Sequence, residues 1–214
     1  MYTIQTGKFE KGTKEQQSAF INLFGCENIQ YKFDFYFHWY NIVHEYGHCL
    51  CSHSNSDIIG LKQEFLVNDF AVNLWAYAGY EKELKALYKM LNEILERIKN
   101  PVPETLSFID YYGQIWESDK IMEVPIYGYF QFKSVQMALE DRRNLKDIFR
   151  EMGIKREIKE CIFPYKEYVV SSEMATEVLC DIRMMLKKMN IEQPAVNIEL
   201  VDDPSVHCVR YDVD

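Results

Sequence analysis

The chain has 214 residues, 48% of them hydrophobic and 14% aromatic, enough for one well-buried core, so extensive disorder is excluded. Its formal net charge is −9, and the densest basic stretch, Arg142 to Arg156, is interleaved with Asp147 and Glu151. Neutralising a nucleic-acid backbone needs a basic face, so direct nucleic-acid binding is not expected. Nor is a membrane span, because no stretch approaches the ~18 uninterrupted apolar residues one requires.

Residues 1–30, with Gly7, Gly12 and Gly25 among scattered charges, predict an irregular or mixed lead-in and a short helix around Lys14 to Phe24. Tyr31 to Tyr40 is dense in aromatics. Its first half alternates Phe33, Phe35 and Phe37 with Asp34 and Tyr36, which predicts a strand, and its second half leads into a helix over His44 to His48. Ser52 to Gly60 reads as a loop. Helices are predicted over Leu61 to Ala78 and over Glu81 to Lys99, the second from Leu84, Leu87, Leu91, Ile94, Leu95 and Ile98 at helical spacing. Pro101 and Pro103 close it.

Glu104 to Lys120 stays open between helix and loop. Tyr127 to Phe132, after Pro125, predicts a strand, and Lys133 to Met152 a helix capped by Gly153. Ser172 to Met189 is an amphipathic helix whose stripe of Met174, Val178, Ile182, Met185 and Met189 is expected to pack into the core. Ala195 to Val201 and Val206 to Val213 flank Asp202-Asp203-Pro204-Ser205 and predict a hairpin. The expectation is a mainly helical α+β fold forming a single domain over residues 1–214. Residues 1–100 carry the metal-binding core, and 101–214 form a helical and β-hairpin C-terminal part.

His44-Glu45-Tyr46-Gly47-His48 is the segment with chemistry in it. On a helix, His44 and His48 lie one turn apart on one face, about 6 Å along the axis, where two imidazoles converge on one tetrahedral zinc ion. Glu45 follows the first ligand and can act as general base toward a water held there. Gly47 lets a chain segment or a substrate approach closely. The third ligand is not the last histidine of an extended H-E-x-x-H-x-x-G-x-x-H pattern, since Cys51 stands at the glycine position and Ser54 at the final one. Glu64, early on the next predicted helix, is the expected ligand, and Asn68 one turn on is placed to orient it or a histidine. An early acid also suits a helix dipole. His53 is the main rival, Asp57 and Asp69 lesser ones, and His38 is expected to be packed or at the rim.

The six cysteines are scattered apart from Cys49-Leu50-Cys51, too close for the usual zinc or redox spacing and read as small buried helix residues. No apolar run follows Met1-Tyr2-Thr3, so no signal peptide is expected, and free thiols in a reducing cytoplasm are the simplest account.

His44-Glu45-Tyr46-Gly47-His48 followed by Glu64-x-x-x-Asn68-x-Phe70-Ala71 resembles the signature of the ImmA/IrrE family of bacterial and phage-associated metallopeptidases, over about residues 38–77. The resemblance implies a zincin-like core, with an active-site helix, a second ligand-bearing helix and a small sheet. It also implies His44, His48 and Glu64 as ligands of one Zn²⁺ per chain and Glu45 as general base. Activity is implied on a protein or peptide substrate, such as a transcriptional regulator, inside the cell. Val67 departs from the small residue usual before the Asn, and no helix-turn-helix domain is apparent. An oxyanion-stabilising group is also required, with Tyr111, Tyr112, His207 and Arg210 as candidates. The alternative function is a regulatory module that binds metal and a partner without turnover.

Overall fold

The chain opens on a strand, β1 (Tyr2–Gly7), which the expected irregular or mixed lead-in does not single out. In the computed structural model, which describes residues 1–211, β1 is the middle strand of a three-stranded sheet. Its pattern hides this because two of its four buried residues are polar. Gln5 pairs with Glu199, and Thr6 with His207. A capping box at Thr13 and Gln16 then starts α1 (Lys14–Phe24).

Ile29 to His53 is one continuous helical rod, and the strand expected at Phe33 to Phe37 is not formed. It comprises α2 (Ile29–Asp34), a π-helical stretch over Phe35–Tyr40, and α3 (Asn41–His53), with helical backbone angles at both junctions. All six residues of the π-helical stretch are buried. A helix covered on every side shows no apolar stripe of period 3.6, and the wider π turn removes that period altogether. The odd-numbered phenylalanines therefore mimic a strand.

The next helices follow closely: α4 (Leu61–Tyr77) and α5 (Glu81–Arg97), near their expected bounds. The open stretch contains a short helix, α6 (Phe108–Ile115). Tyr127 to Phe132 lies in α7 (Val124–Glu140), not in a strand. Pro125 sits in its first turn, where a fixed φ and a missing N–H favour helix initiation. The predicted Lys133–Met152 helix is broken after Glu140 and resumes as α8 (Leu145–Glu151), with Gly153 at φ +87° closing it. In α9 (Met174–Lys188) and just beyond it, the Met174 to Met189 stripe is buried as expected.

The C-terminal strands β2 (Val196–Val201) and β3 (His207–Tyr211) do not form the expected hairpin; residues 212 and 213 of its second arm lie outside the described residues. The order is β2-β1-β3, with β2 parallel to β1 (Ile4 opposite Ile198) and β3 antiparallel to it (Ile4 opposite Val209). The Asp202–Val206 link crosses the end of β1 at Gly7. A Cβ there would stand 2.0 Å from the Asp203 carbonyl oxygen, so only glycine admits the crossing. The fold is mainly helical with a small sheet. One apolar core runs from Ile4 to Val196, and a satellite cluster around Tyr112 and Phe130 lies beside α4.

The crossing partly buries an imidazole. The His207 ring stacks on Phe37, centroids 3.8 Å apart, while Nε2–H donates to the Pro204 carbonyl and Nδ1 accepts from Thr6 Oγ1. Both bonds suit the neutral ring. Burial chiefly, with a smaller effect of His38, pushes its pKa down to about 3, against a partial offset from the Pro204 carbonyl. The folded pKa lies below the unfolded value of ~6.5, so protons favour the unfolded chain. The stabilisation is complete above that value and is lost as pH falls toward 3. By pH 5 the expected loss is about 2 kcal/mol. Urea unfolding at pH 7 and pH 5 should show it, and His207→Gln should flatten the slope; equal slopes would refute the assignment.

Candidate metal centre

The two histidines sit on α3, ten of whose thirteen residues are buried, with β1, β3, α4 and α9 around it. α4 can approach because Gly47 carries no side chain: a Cβ there would lie 3.0 Å from both Val67 Cβ and Phe70 Cδ1. The close approach anticipated at Gly47 is thus made by a helix of the same chain. It brings the first turn of α4, with Glu64, against the histidine face of α3.

His44, His48 and Glu64 meet there, each offering one ligand atom to a common point. The His44 and His48 Nε2 atoms are 3.2 Å apart, and the Glu64 carboxylate oxygens lie 3.5 Å from His44 Nε2 and 3.4 Å from His48 Nε2. Ligand atoms held at ~2.0–2.1 Å by a tetrahedral ion stand roughly 3.3–3.4 Å from one another. The spacings are of that order, with Glu64 presenting one carboxylate oxygen to His44 and the other to His48.

Hydrogen bonds behind the imidazoles fix which nitrogen faces inward. Asn68 Nδ2 donates to Ser134 Oγ, whose hydroxyl donates to the Gln131 carbonyl, so Asn68 must turn Oδ1 toward His44. That oxygen accepts from His44 Nδ1–H at 2.8 Å and from the Tyr40 hydroxyl at 2.8 Å. Gln63 Nε2 donates to the Ile58 carbonyl, leaving Oε1 to accept from His48 Nδ1–H at 2.8 Å. Both Nδ1 atoms therefore carry hydrogen, and the two Nε2 atoms face each other beside a carboxylate. Three electron-rich atoms in contact repel unless positive charge lies between them.

The titration behaviour agrees. Burial acts to lower the His44 pKa, but the hydrogen bond and charge of Glu64, with Glu45, outweigh it and raise the pKa. Burial likewise acts to raise the Glu64 pKa, and the two histidines more than offset it. The two shifts express one reciprocal attraction between the histidines and the carboxylate.

Glu45 follows His44 on the helix and its charge helps to raise the His44 pKa; it is 8% exposed, with Oε1 accepting from Asn41 Nδ2 at 3.1 Å. The rival ligands are elsewhere. His53 points to Glu192 (3.9 Å), Asp69 is held by Arg143 at 2.8 Å, and Asp57 is exposed. His38 is fully buried between Asp34 and the Gly7 carbonyl. Cys49 and Cys51 are buried thiols, the latter pushed up to about 12 chiefly by desolvation; neither joins the cluster. Of the oxyanion candidates, Tyr112 donates to the Ile126 carbonyl, Tyr111 packs in the satellite cluster, His207 lies against Phe37, and Arg210 faces Thr3 in the sheet.

Sequence reasoning missed Gln63, Tyr40 and Ser134. Gln63 adjoins Glu64 in an ordinary helix start, and the other two reach Asn68 only through tertiary packing. Asn68→Ala and Gln63→Ala are each expected to weaken zinc binding 10–100-fold, because an unheld imidazole loses orientation and basicity. Competition titration against a chromophoric chelator measures this, and unchanged affinity in both would refute the orienting role.

No protein-family model, curated protein or solved structure matches the chain.

Proposed function

We propose that the chain is a zinc-dependent endopeptidase with a zincin-like core of the ImmA/IrrE type, hydrolysing a peptide bond in a protein partner. The observation that carries this reading is the inward-facing His44–His48–Glu64 set with Glu45 next to it. Such a set suits zinc, with imidazole and carboxylate donors at tetrahedral spacing. Structural zinc sites usually fill all four positions, commonly with cysteine; none of the cysteines joins this cluster.

His44, His48 and Glu64 would hold the ion, which when bound supplies Lewis-acid polarisation of water and carbonyl. Glu45 accepts a proton from the attacking water and delivers it to the leaving amine as the C–N bond breaks. Asn68 and Gln63 keep both imidazoles in the ligating tautomer. No helix among the described residues is long and apolar enough to cross a membrane. The six free thiols fit a reducing cytoplasm, which we take as the working location. The resemblance at the motif makes a transcriptional regulator the substrate class to try first.

The test uses untagged protein. Metal analysis should find about one zinc per chain, lost in His44→Ala and in Glu64→Ala. A proteome-derived peptide library should show new N-termini that vanish with chelator and return with zinc. Zinc bound without any cleavage would shift the reading to a metal-binding regulatory module. No zinc uptake by folded protein would overturn it.

A further inference from the structure

α7 runs beside α4 in the same direction. Phe130 packs on Phe65 (centroids 5.8 Å apart), Ser134 accepts from Asn68, and just past the end of α7 the Arg143 N–H donates to Asn73. Levels on the two helices thus advance together, and the first turn of α7 stands level with the start of α4, where Glu64 is. Tyr127 lies seven residues before Ser134, two turns back and within roughly 20° of the same direction. Ser134 faces the seam through its bond to Asn68, so Tyr127 faces it too, at the level of the metal ligands.

Electrostatics agree with that level, and a side-chain hydrogen bond with Gln131 one turn on also acts on the phenol. Burial first, then the charges of Glu64 and Glu45, raise the Tyr127 pKa, so the phenol feels both carboxylates and stays protonated at neutral pH. Tyr36 also feels both, but it is 2% exposed, and Tyr40 is fully buried and committed to Asn68. Tyr127 is 37% exposed, so of the three its ring alone reaches solvent.

Resting on the peptidase reading, we propose that Tyr127 is a catalytic residue that donates its phenolic O–H to the carbonyl oxygen of the scissile peptide as that oxygen becomes negative. Water oxygen bonds to the carbonyl carbon while the C=O π pair moves onto oxygen, and the water's proton goes to Glu45. Tyr127 keeps its own proton throughout and strengthens its hydrogen bond as charge develops. When the pair returns and the C–N bond breaks, Glu45 delivers its proton to the amine nitrogen. A donor that binds the oxyanion more tightly than the ground-state carbonyl lowers the barrier directly.

The experiment compares wild type, Tyr127→Phe and Glu45→Gln, all zinc-loaded, on a peptide cut in the library screen. Binding of a phosphinic pseudo-tripeptide, a tetrahedral anionic mimic, is measured by calorimetry. For Tyr127→Phe we expect zinc content and melting temperature as in wild type, kcat lower by ~10²–10³, KM within about twofold, and mimic affinity lower by roughly 10–100-fold. Wild-type kcat and mimic affinity in Tyr127→Phe, with Glu45→Gln inactive, would overturn the tyrosine's role and leave the peptidase reading standing. A raised KM with unchanged kcat would also overturn it, reducing Tyr127 to a substrate contact. If wild type takes up zinc yet neither cleaves nor binds the mimic, the peptidase reading and this proposal fall together.

Discussion

Glu45→Gln should lower peptide cleavage by ~10²–10⁴ while the protein keeps its zinc and its fold. The amide has the size of the carboxylate and can still accept from Asn41 Nδ2, which now donates to Glu45 Oε1, so the neighbourhood need not rearrange. What disappears is the ability to take a proton from water. His44, His48 and Glu64 are untouched, and with them the capacity to bind metal. Single-turnover cleavage and metal analysis on the same preparation separate the two effects. Cleavage within a few-fold of wild type, with zinc in place, would assign the proton transfer to another group and sink the role given to Glu45.

Gly47→Val should damage stability and metal binding together. The α3–α4 seam already has no room for a Cβ, with Val67 Cβ and Phe70 Cδ1 each 3.0 Å from where it would sit. Both neighbours are fully buried and cannot swing into solvent. Relief then requires α4 to move away from α3, at a cost of about 3 kcal/mol for overpacking, which corresponds to a fall in melting temperature of roughly 6–12 °C for a chain of this size. The same movement carries Glu64 off the histidines, so zinc affinity should fall at least tenfold. Thermal unfolding with and without zinc reads both. A destabilised protein with wild-type zinc affinity would show that the seam does not set the ligand spacing.

The two effects belong to different levels of the molecule. On the proposed reading Glu45 acts at the reacting atoms, whereas Gly47 decides how near two helices come. Asn68 joins them, holding His44 from α4 while anchored by Ser134 on α7. A site assembled from three helices is sensitive to packing far from the metal point.

Much of this was legible in the chain. The i, i+4 spacing of His44 and His48 needs only a helix to converge, and Glu64 and Asn68, themselves four apart, needed only a second one. The amphipathic helices α5 and α9 were equally plain, because each buries one stripe and exposes the rest. Elements covered on all sides were not. The Phe35–Tyr40 stretch has no polar face to mark its period, and β1 buries Gln5 and Thr6 beside partners nearly two hundred residues away.

The sequence by itself determined the candidate ligand types, their spacing along each helix and the acid placed next to His44, because these depend on local geometry alone. Only the tertiary structure decided that α4 docks on α3 at Gly47, that Gln63 and Asn68 turn both Nε2 atoms inward, and that β1 lies between the two C-terminal strands. It also placed Tyr127, expected in a strand, at the level of Glu64 on a helix. These depend on which distant surfaces meet, and local propensity and periodicity carry no information about that.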